Sequence, residues 1–131
     1  MPKGSSTIRV RYADTDQMGI AYHGHFFAWF EVGRTDLLRS SGLTYKELEK
    51  GGLRLPVIDA QASFRRPAYY DDVLEVKTVV VEVGGASVRF AYEVFREGTK
   101  GPLATGMTCH ASVNPQGRPI RLPDELRRRL A

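Results

Sequence analysis

Cysteine is almost absent from this chain, with Cys109 the one thiol among 131 residues. That excludes an intrachain disulfide framework and a zinc site built on cysteines. Long apolar runs are missing too: no stretch approaches the ~20 residues of a membrane-spanning helix. The opening segment, MPKGSSTIRV, has no apolar run of the secretory kind. A cytoplasmic setting is the expectation. Internal repeats, low-complexity tracts and breaks in composition are also lacking, so residues 1–131 read as a single domain.

What is present suits a globule. The hydrophobic fraction is 42%, and a chain of this size buries roughly two thirds of its unfolded surface, enough for one core. Lysine and arginine outnumber acidic residues 19 to 15, giving a net charge of +4. The excess suits an anionic partner. No nucleic-acid-binding motif accompanies it, so a nucleic-acid partner is not expected.

Periodicity sets out the elements. Residues 7–12 alternate, with Ile8, Val10 and Tyr12 on one face and Arg9 and Arg11 on the other, which predicts a half-buried strand. Residues 13–22 form an irregular connection. From 25 to 40 the period turns helical: Phe26, Trp29, Phe30, Gly33 and Leu37 make one stripe, with Glu31, Thr35 and Arg39 opposite. Gly33 in mid-helix costs about 1 kcal/mol relative to alanine, which makes sense where another backbone packs closely. A short helix over 44–50 begins at Thr44, with Glu47 at capping-box spacing.

The remainder reads mainly as strands, at 57–65, 73–83, 86–96 and 103–113, with the hairpin Gly84-Gly85 between the second and third. In 73–83 the apolar register changes near Thr78–Val79, which predicts a bulge or strong curvature there. In the last strand, Cys109 falls with Met107, Ala111 and Val113 on the expected core face, while Thr108, His110 and Ser112 face the other way, toward solvent or an interface. A terminal helix covers 123–130, its run Arg127-Arg128-Arg129 at the surface. Strand, long buried helix, short helix and hairpin-linked strands together predict an α+β fold, an antiparallel sheet curved around the aromatic helix.

Residues 12–31, YADTDQMGIAYHGHFFAWFE, carry the chemistry. Asp16 is followed by Gly19, the apolar pair Ile20-Ala21, Tyr22-His23 and then the aromatic helix start at Phe26 and Trp29-Phe30-Glu31. This pattern resembles the signature of hotdog-fold acyl-CoA thioesterases, in the branch similar to 4-hydroxybenzoyl-CoA thioesterase. Arg66-Pro67-Ala68 and Asp71-Asp72 resemble that family's strand connection. His25 and Gly24 depart from its frequent asparagine and from its common proline or alanine.

The resemblance implies hydrolysis of an acyl-CoA to a free acid and coenzyme A. Asp16 would act as nucleophile or general base, and the His23 backbone N–H as oxyanion donor. The His23 side chain could brace the loop or transfer protons. Gly19, Ile20 and Tyr22 would shape the approach to the acyl group, and Phe26 its pocket. Asp14 is the turn or hydrogen-bonding aspartate. For Glu31 an ion pair with Arg34 or a capping contact is expected. Coenzyme A phosphates want cations, and Arg65, Arg66 and Arg89 are the candidates, with Lys100 and Arg118 behind them. No metal and no cofactor beyond the CoA of the substrate is implied, and a homodimer or homotetramer is expected. The alternatives are a hotdog hydratase or dehydratase, and a non-catalytic acyl-CoA-binding module.

Overall fold

The computed structural model describes residues 1–131. The aromatic stripe forms α1, His25–Ser40, which buries Phe26, Trp29, Phe30, Gly33, Leu37 and Leu38. Beneath it lies one antiparallel sheet of β1 (Lys3–Arg9), β2 (Val57–Phe64), β3 (Val73–Val83), β4 (Ser87–Arg96) and β5 (Ala104–Ala111), in the order β1-β3-β4-β5-β2. Two short helices complete the chain: α2, Tyr45–Lys50, and α3, Asp124–Leu130. Thr44 caps α2 by accepting the Glu47 N–H at 3.1 Å. The arrangement is the expected α+β fold. No helix is long and apolar enough to cross a membrane.

The helix docks closely. A Cβ at Gly33 would collide with Thr78 Oγ1 and lie 3.1 Å from Val76 Cγ1, so the bare backbone is what lets α1 settle on β3. Phe30 is fully buried and stacks on Tyr92 of β4, with centroids 4.4 Å apart. Burying such a ring contributes roughly 2–3 kcal/mol. Gly106 on β5 leaves the space that the Phe30 ring fills.

Three expectations fail, each because a small or polar residue faces the core. The first strand starts at Lys3 and ends at Arg9 rather than covering 7–12. Its inward set includes Ser6, whose hydroxyl donates to Asp36 at 2.7 Å. Tyr12 instead lies in a 3-10 turn, Tyr12–Asp14, and is 78% exposed. The irregularity in β3 falls between Val80 and Glu82, not at Thr78–Val79. Thr78 stays on the inner face with Leu74, Val76 and Val80.

The third correction reverses the faces of β5. Thr108, His110 and Ser112 are buried, and Met107, Cys109 and Ala111 are only half-buried on the other side. A polar chain makes this possible for Thr108 and His110: Tyr92 Oη pairs with Thr108 Oγ1 at 2.6 Å, Thr108 Oγ1 with His110 Nε2 at 2.8 Å, and His110 Nδ1 with the Leu55 carbonyl at 2.9 Å. Buried polar groups are tolerated when bonded in this way.

Burial pushes the His110 imidazole down to about 4, with the Arg34 charge acting in the same direction. The unfolded chain takes up this proton near pH 6.5 and the folded chain only near 4, so stability is full above 6.5 and falls as pH drops between the two values. Urea unfolding from pH 7 to 4 is expected to show a loss on the order of 2 kcal/mol from this residue, and His110→Gln is expected to flatten that part of the profile.

Candidate active site

The segment between β1 and α1 is held at both ends by Asp14. Its side chain is buried and accepts from the Arg11 backbone N–H at 2.8 Å and from the Arg11 guanidinium at 2.8 Å, with His25 Nδ1 at 3.6 Å. Burial opposes the charge, but the Arg11 hydrogen bonds and charge outweigh it, and the carboxyl lies below the usual range. The Asp14 carbonyl also accepts the Tyr22 N–H at 2.8 Å. One residue thus joins the loop's start to its end.

Between those points the chain doubles back. Thr15 and Ala21 form an antiparallel bridge, Asp16 N–H donates to the Ile20 carbonyl at 3.0 Å, and Gly19 N–H donates to the Asp16 carbonyl at 3.0 Å. Gly19 has φ 80°, in the left-handed region that glycine enters without strain. Ala21 N–H donates to the Ala68 carbonyl at 2.8 Å and ties the turn to the β2–β3 connection.

This geometry presents Asp16 half-buried. Its Oδ1 accepts the Met18 N–H at 2.9 Å, and its other oxygen has no hydrogen bond within the chain. At the start of α1, His25, Phe26 and Phe27 N–H groups bond to the carbonyls of Tyr22, His23 and Gly24. The N–H groups of His23 and Gly24 donate to nothing in the chain. They sit at the positive end of a 16-residue helix.

Asp16 and His23 line one cleft of about 270 Å³ with Ile20, Phe26, Phe64, Arg65 and Arg66. Six of the nine residues singled out from the sequence therefore come together. Gly19 lies in the turn behind the cleft and Tyr22 beside it, its ring 4.4 Å from that of His23. A Cβ at residue 24 would press on the Tyr22 ring, which explains the glycine there.

Arg89 is not brought in. It pairs with Cys109 across β4 and β5 on the sheet face away from α1, and its guanidinium lies 3.5 Å from Met107 Sδ. Lys100 and Arg118 also stand outside the cleft. The two cleft arginines differ: Arg66 donates to the carbonyls of Lys100 and Gly101, both at 2.6 Å, whereas the Arg65 side chain has no bond to the chain. Phe64 escaped the sequence reading. Its signal was the alternation Ala60, Ala62, Phe64 along an inner strand face. The expected Glu31–Arg34 ion pair is absent, and Glu31 is exposed on the outer side of α1. No group of three or more His, Cys, Asp or Glu residues is placed to hold a metal ion.

Residues 10–130 match the model of the Thioesterase-like superfamily. The chain is 40% identical over 88 residues to YneP of Bacillus subtilis, a match covering 67% of this chain but 64% of that protein. It is 32% identical to acyl-CoA thioesterase YbgC of Haemophilus influenzae, over 94% of this chain and 90% of that one. Among solved structures, the DHNA-CoA thioesterase of Staphylococcus aureus superposes with a TM-score of 0.89 at 34% identity, covering 93% of this chain and 82% of that one.

The unequal commitments of the two arginines can be read directly in stability. Arg66→Ala is expected to cost about 1–2 kcal/mol through its lost carbonyl contacts, and Arg65→Ala less than about 0.5 kcal/mol. Urea midpoints of the two variants check this.

Proposed function

The chain belongs to the thioesterase-like superfamily and is an acyl-CoA thioester hydrolase of the hotdog fold, and we propose that Asp16 supplies the carboxylate of its reaction. One observation carries the proposal: Asp16, with a carboxylate oxygen that has no partner, and His23, with a helix-terminal N–H that has none, line the same small cleft. Thioester hydrolysis needs those two groups, one to deliver an electron pair to the carbonyl carbon and one to receive the charge that collects on its oxygen.

The overall change is acyl-CoA plus water to a carboxylic acid plus coenzyme A. If Asp16 is the nucleophile, its free oxygen bonds to the carbonyl carbon, the carbonyl oxygen takes the negative charge at the His23 N–H, and the C–S bond breaks. The thiolate leaves and is protonated, and water hydrolyses the resulting anhydride. If Asp16 is the general base, it takes a proton from water as that water attacks, and the same oxyanion and leaving group follow. A donor of this type contributes about 3–4 kcal/mol to such a step. Neither route uses a metal or a redox cofactor.

Arg65 is the cation free to meet a CoA phosphate, and Arg66 shapes the adjacent rim while holding the 97–102 loop. Phe26, Phe64 and Ile20 supply the apolar wall for an acyl group. The reading extends to assembly as a homodimer or homotetramer. β2 closes one side of the sheet as an edge strand, and all its residues but Ala62 are exposed, including Ile58 at 62%. Such an edge invites a second chain.

A screen of acyl-CoAs across chain length and aromaticity, with thiol release read by a reactive dye, tests the activity. Asp16→Asn is expected to lower kcat by about 10²–10⁴-fold with an unchanged melting temperature. Undiminished turnover would remove Asp16 from the chemistry. In single turnover in ¹⁸O-water, label in Asp16 identifies the nucleophilic route, because it enters when water attacks the aspartyl carbonyl of the anhydride. Sedimentation is expected to show a dimer or tetramer, shifted toward monomer by Ile58→Asp. A monomeric wild type would refute the assembly.

A further inference from the structure

A second cleft, of about 570 Å³, opens between α1, α2 and the turn at residues 113–117, and it shares no lining residue with the cleft of Asp16. Glu31, Arg34, Tyr45, Arg54, Leu55 and Asn114 are among its walls. Arg34 is the anomaly there. It is 9% exposed, forms no salt bridge, and its Nε is buried without a hydrogen-bond partner. A guanidinium removed from water to this degree ordinarily has an anion beside it.

No carboxylate is in salt-bridge contact with it: Glu31 and Glu49 line the same cleft but stand exposed at its rim. The groups on which its charge bears are Tyr45, Tyr92 and His110, which are neutral when buried. Tyr92, Thr108 and His110 bond to one another and to the Leu55 carbonyl, and the only groups facing Arg34 from this side are the neutral phenols of Tyr45 and Tyr92, so its guanidinium meets hydroxyls but no bound anion and its Nε meets nothing. Glu31, one turn earlier on α1, stays exposed and does not pair with it.

We infer that this cleft is a binding site for a small organic monocarboxylate, held by Arg34 and Arg54. The guanidinium fork matches a planar carboxylate with two parallel N–H···O bonds. Glu31 and Glu49 on the rim oppose a multiply charged anion such as phosphate. Leu55, Pro56 and Val113 give the cleft an apolar side against which a short hydrocarbon or aromatic group can lie. The ligand is of the same chemical class as the acid that thioester hydrolysis releases, but the inference stands independently of the role given to Asp16.

The test is calorimetric titration of the full-length protein in its own assembly with butyrate, benzoate and inorganic phosphate at constant ionic strength, alongside NMR of the arginine Nε–H resonances. Saturable carboxylate binding is expected, tighter than phosphate, with the Arg34 Nε–H resonance shifting on binding. Arg34→Met should weaken it about tenfold or more and the exposed Arg54→Gln several-fold, while Asp16→Asn leaves it unchanged. Absence of saturable binding, phosphate binding as tightly as the carboxylates, or loss of binding in Asp16→Asn would each overturn the assignment. Should Arg34→Met not fold, Arg54→Gln and the wild-type Arg34 resonance decide the matter alone.

Discussion

α1 can lie against β3 only because Gly33 has no Cβ, and the height of that helix above the sheet fixes nearly everything else. With Gly33 over Thr78 and Val76, Phe30 reaches down to stack on Tyr92 and fills the space left at Gly106. The N-terminal turn of α1 is then brought to the end of β2, where Phe26 and Phe64 meet at 5.2 Å. A larger residue at 33 would lift the helix, and the cleft at its start would open with it. Packing and function are linked through one missing methyl group.

The loop adds precision that packing alone cannot give. A helix N-terminus always leaves backbone donors without intrahelical partners. Here the Tyr22 donor is taken up by the Asp14 carbonyl, while those of His23 and Gly24 are left over. The same Asp14 binds Arg11 through its carboxylate, so the loop cannot relax to cover the free donors without stripping a buried carboxylate of its hydrogen bonds. Met18 fixes one oxygen of Asp16 and leaves the other. Rigid backbone bonds thus hold an acceptor and a donor apart from each other, in a cleft with apolar walls.

Much of this was legible in the residue order. The helical stripe of α1, the close approach at Gly33, the hairpins and the separation of Asp14 from Asp16 all follow from periodicity or from the 12–31 pattern. What periodicity could not see was polarity pointing inward. Ser6, Thr78, Thr108, His110 and Ser112 are all buried; Ser6 lies outside the predicted strand, Thr78 marks the predicted face change, and the other three are the predicted solvent or interface face. Hydrophobic pattern reports the cost of burying a polar group and not the partner that removes the cost. For three of them the partners come from other elements: Asp36 on α1 for Ser6, Tyr92 for Thr108 and the Leu55 carbonyl for His110, whereas the Thr78 and Ser112 hydroxyls are buried without one. Arg89 illustrates the opposite limit, since its alternation with the buried Val88 and Phe90 puts it on the outer sheet face, away from the start of α1.

The inward polarity also bears on why Arg34 is where it is. An apolar β5 would have packed against α1 as well as the present one, since replacing both members of a buried hydrogen-bonded pair by apolar groups is often neutral. The Tyr92–Thr108–His110 chain instead makes a polar floor on the α1 side of the sheet, ending at Leu55, which lines the same cleft as Arg34. A neutral polar floor lowers the cost of holding a cation nearby but does not neutralise it. Arg34 lines that cleft, where a planar anion can approach its guanidinium and water is partly excluded. Such an environment strengthens a guanidinium–carboxylate contact relative to one at an exposed surface.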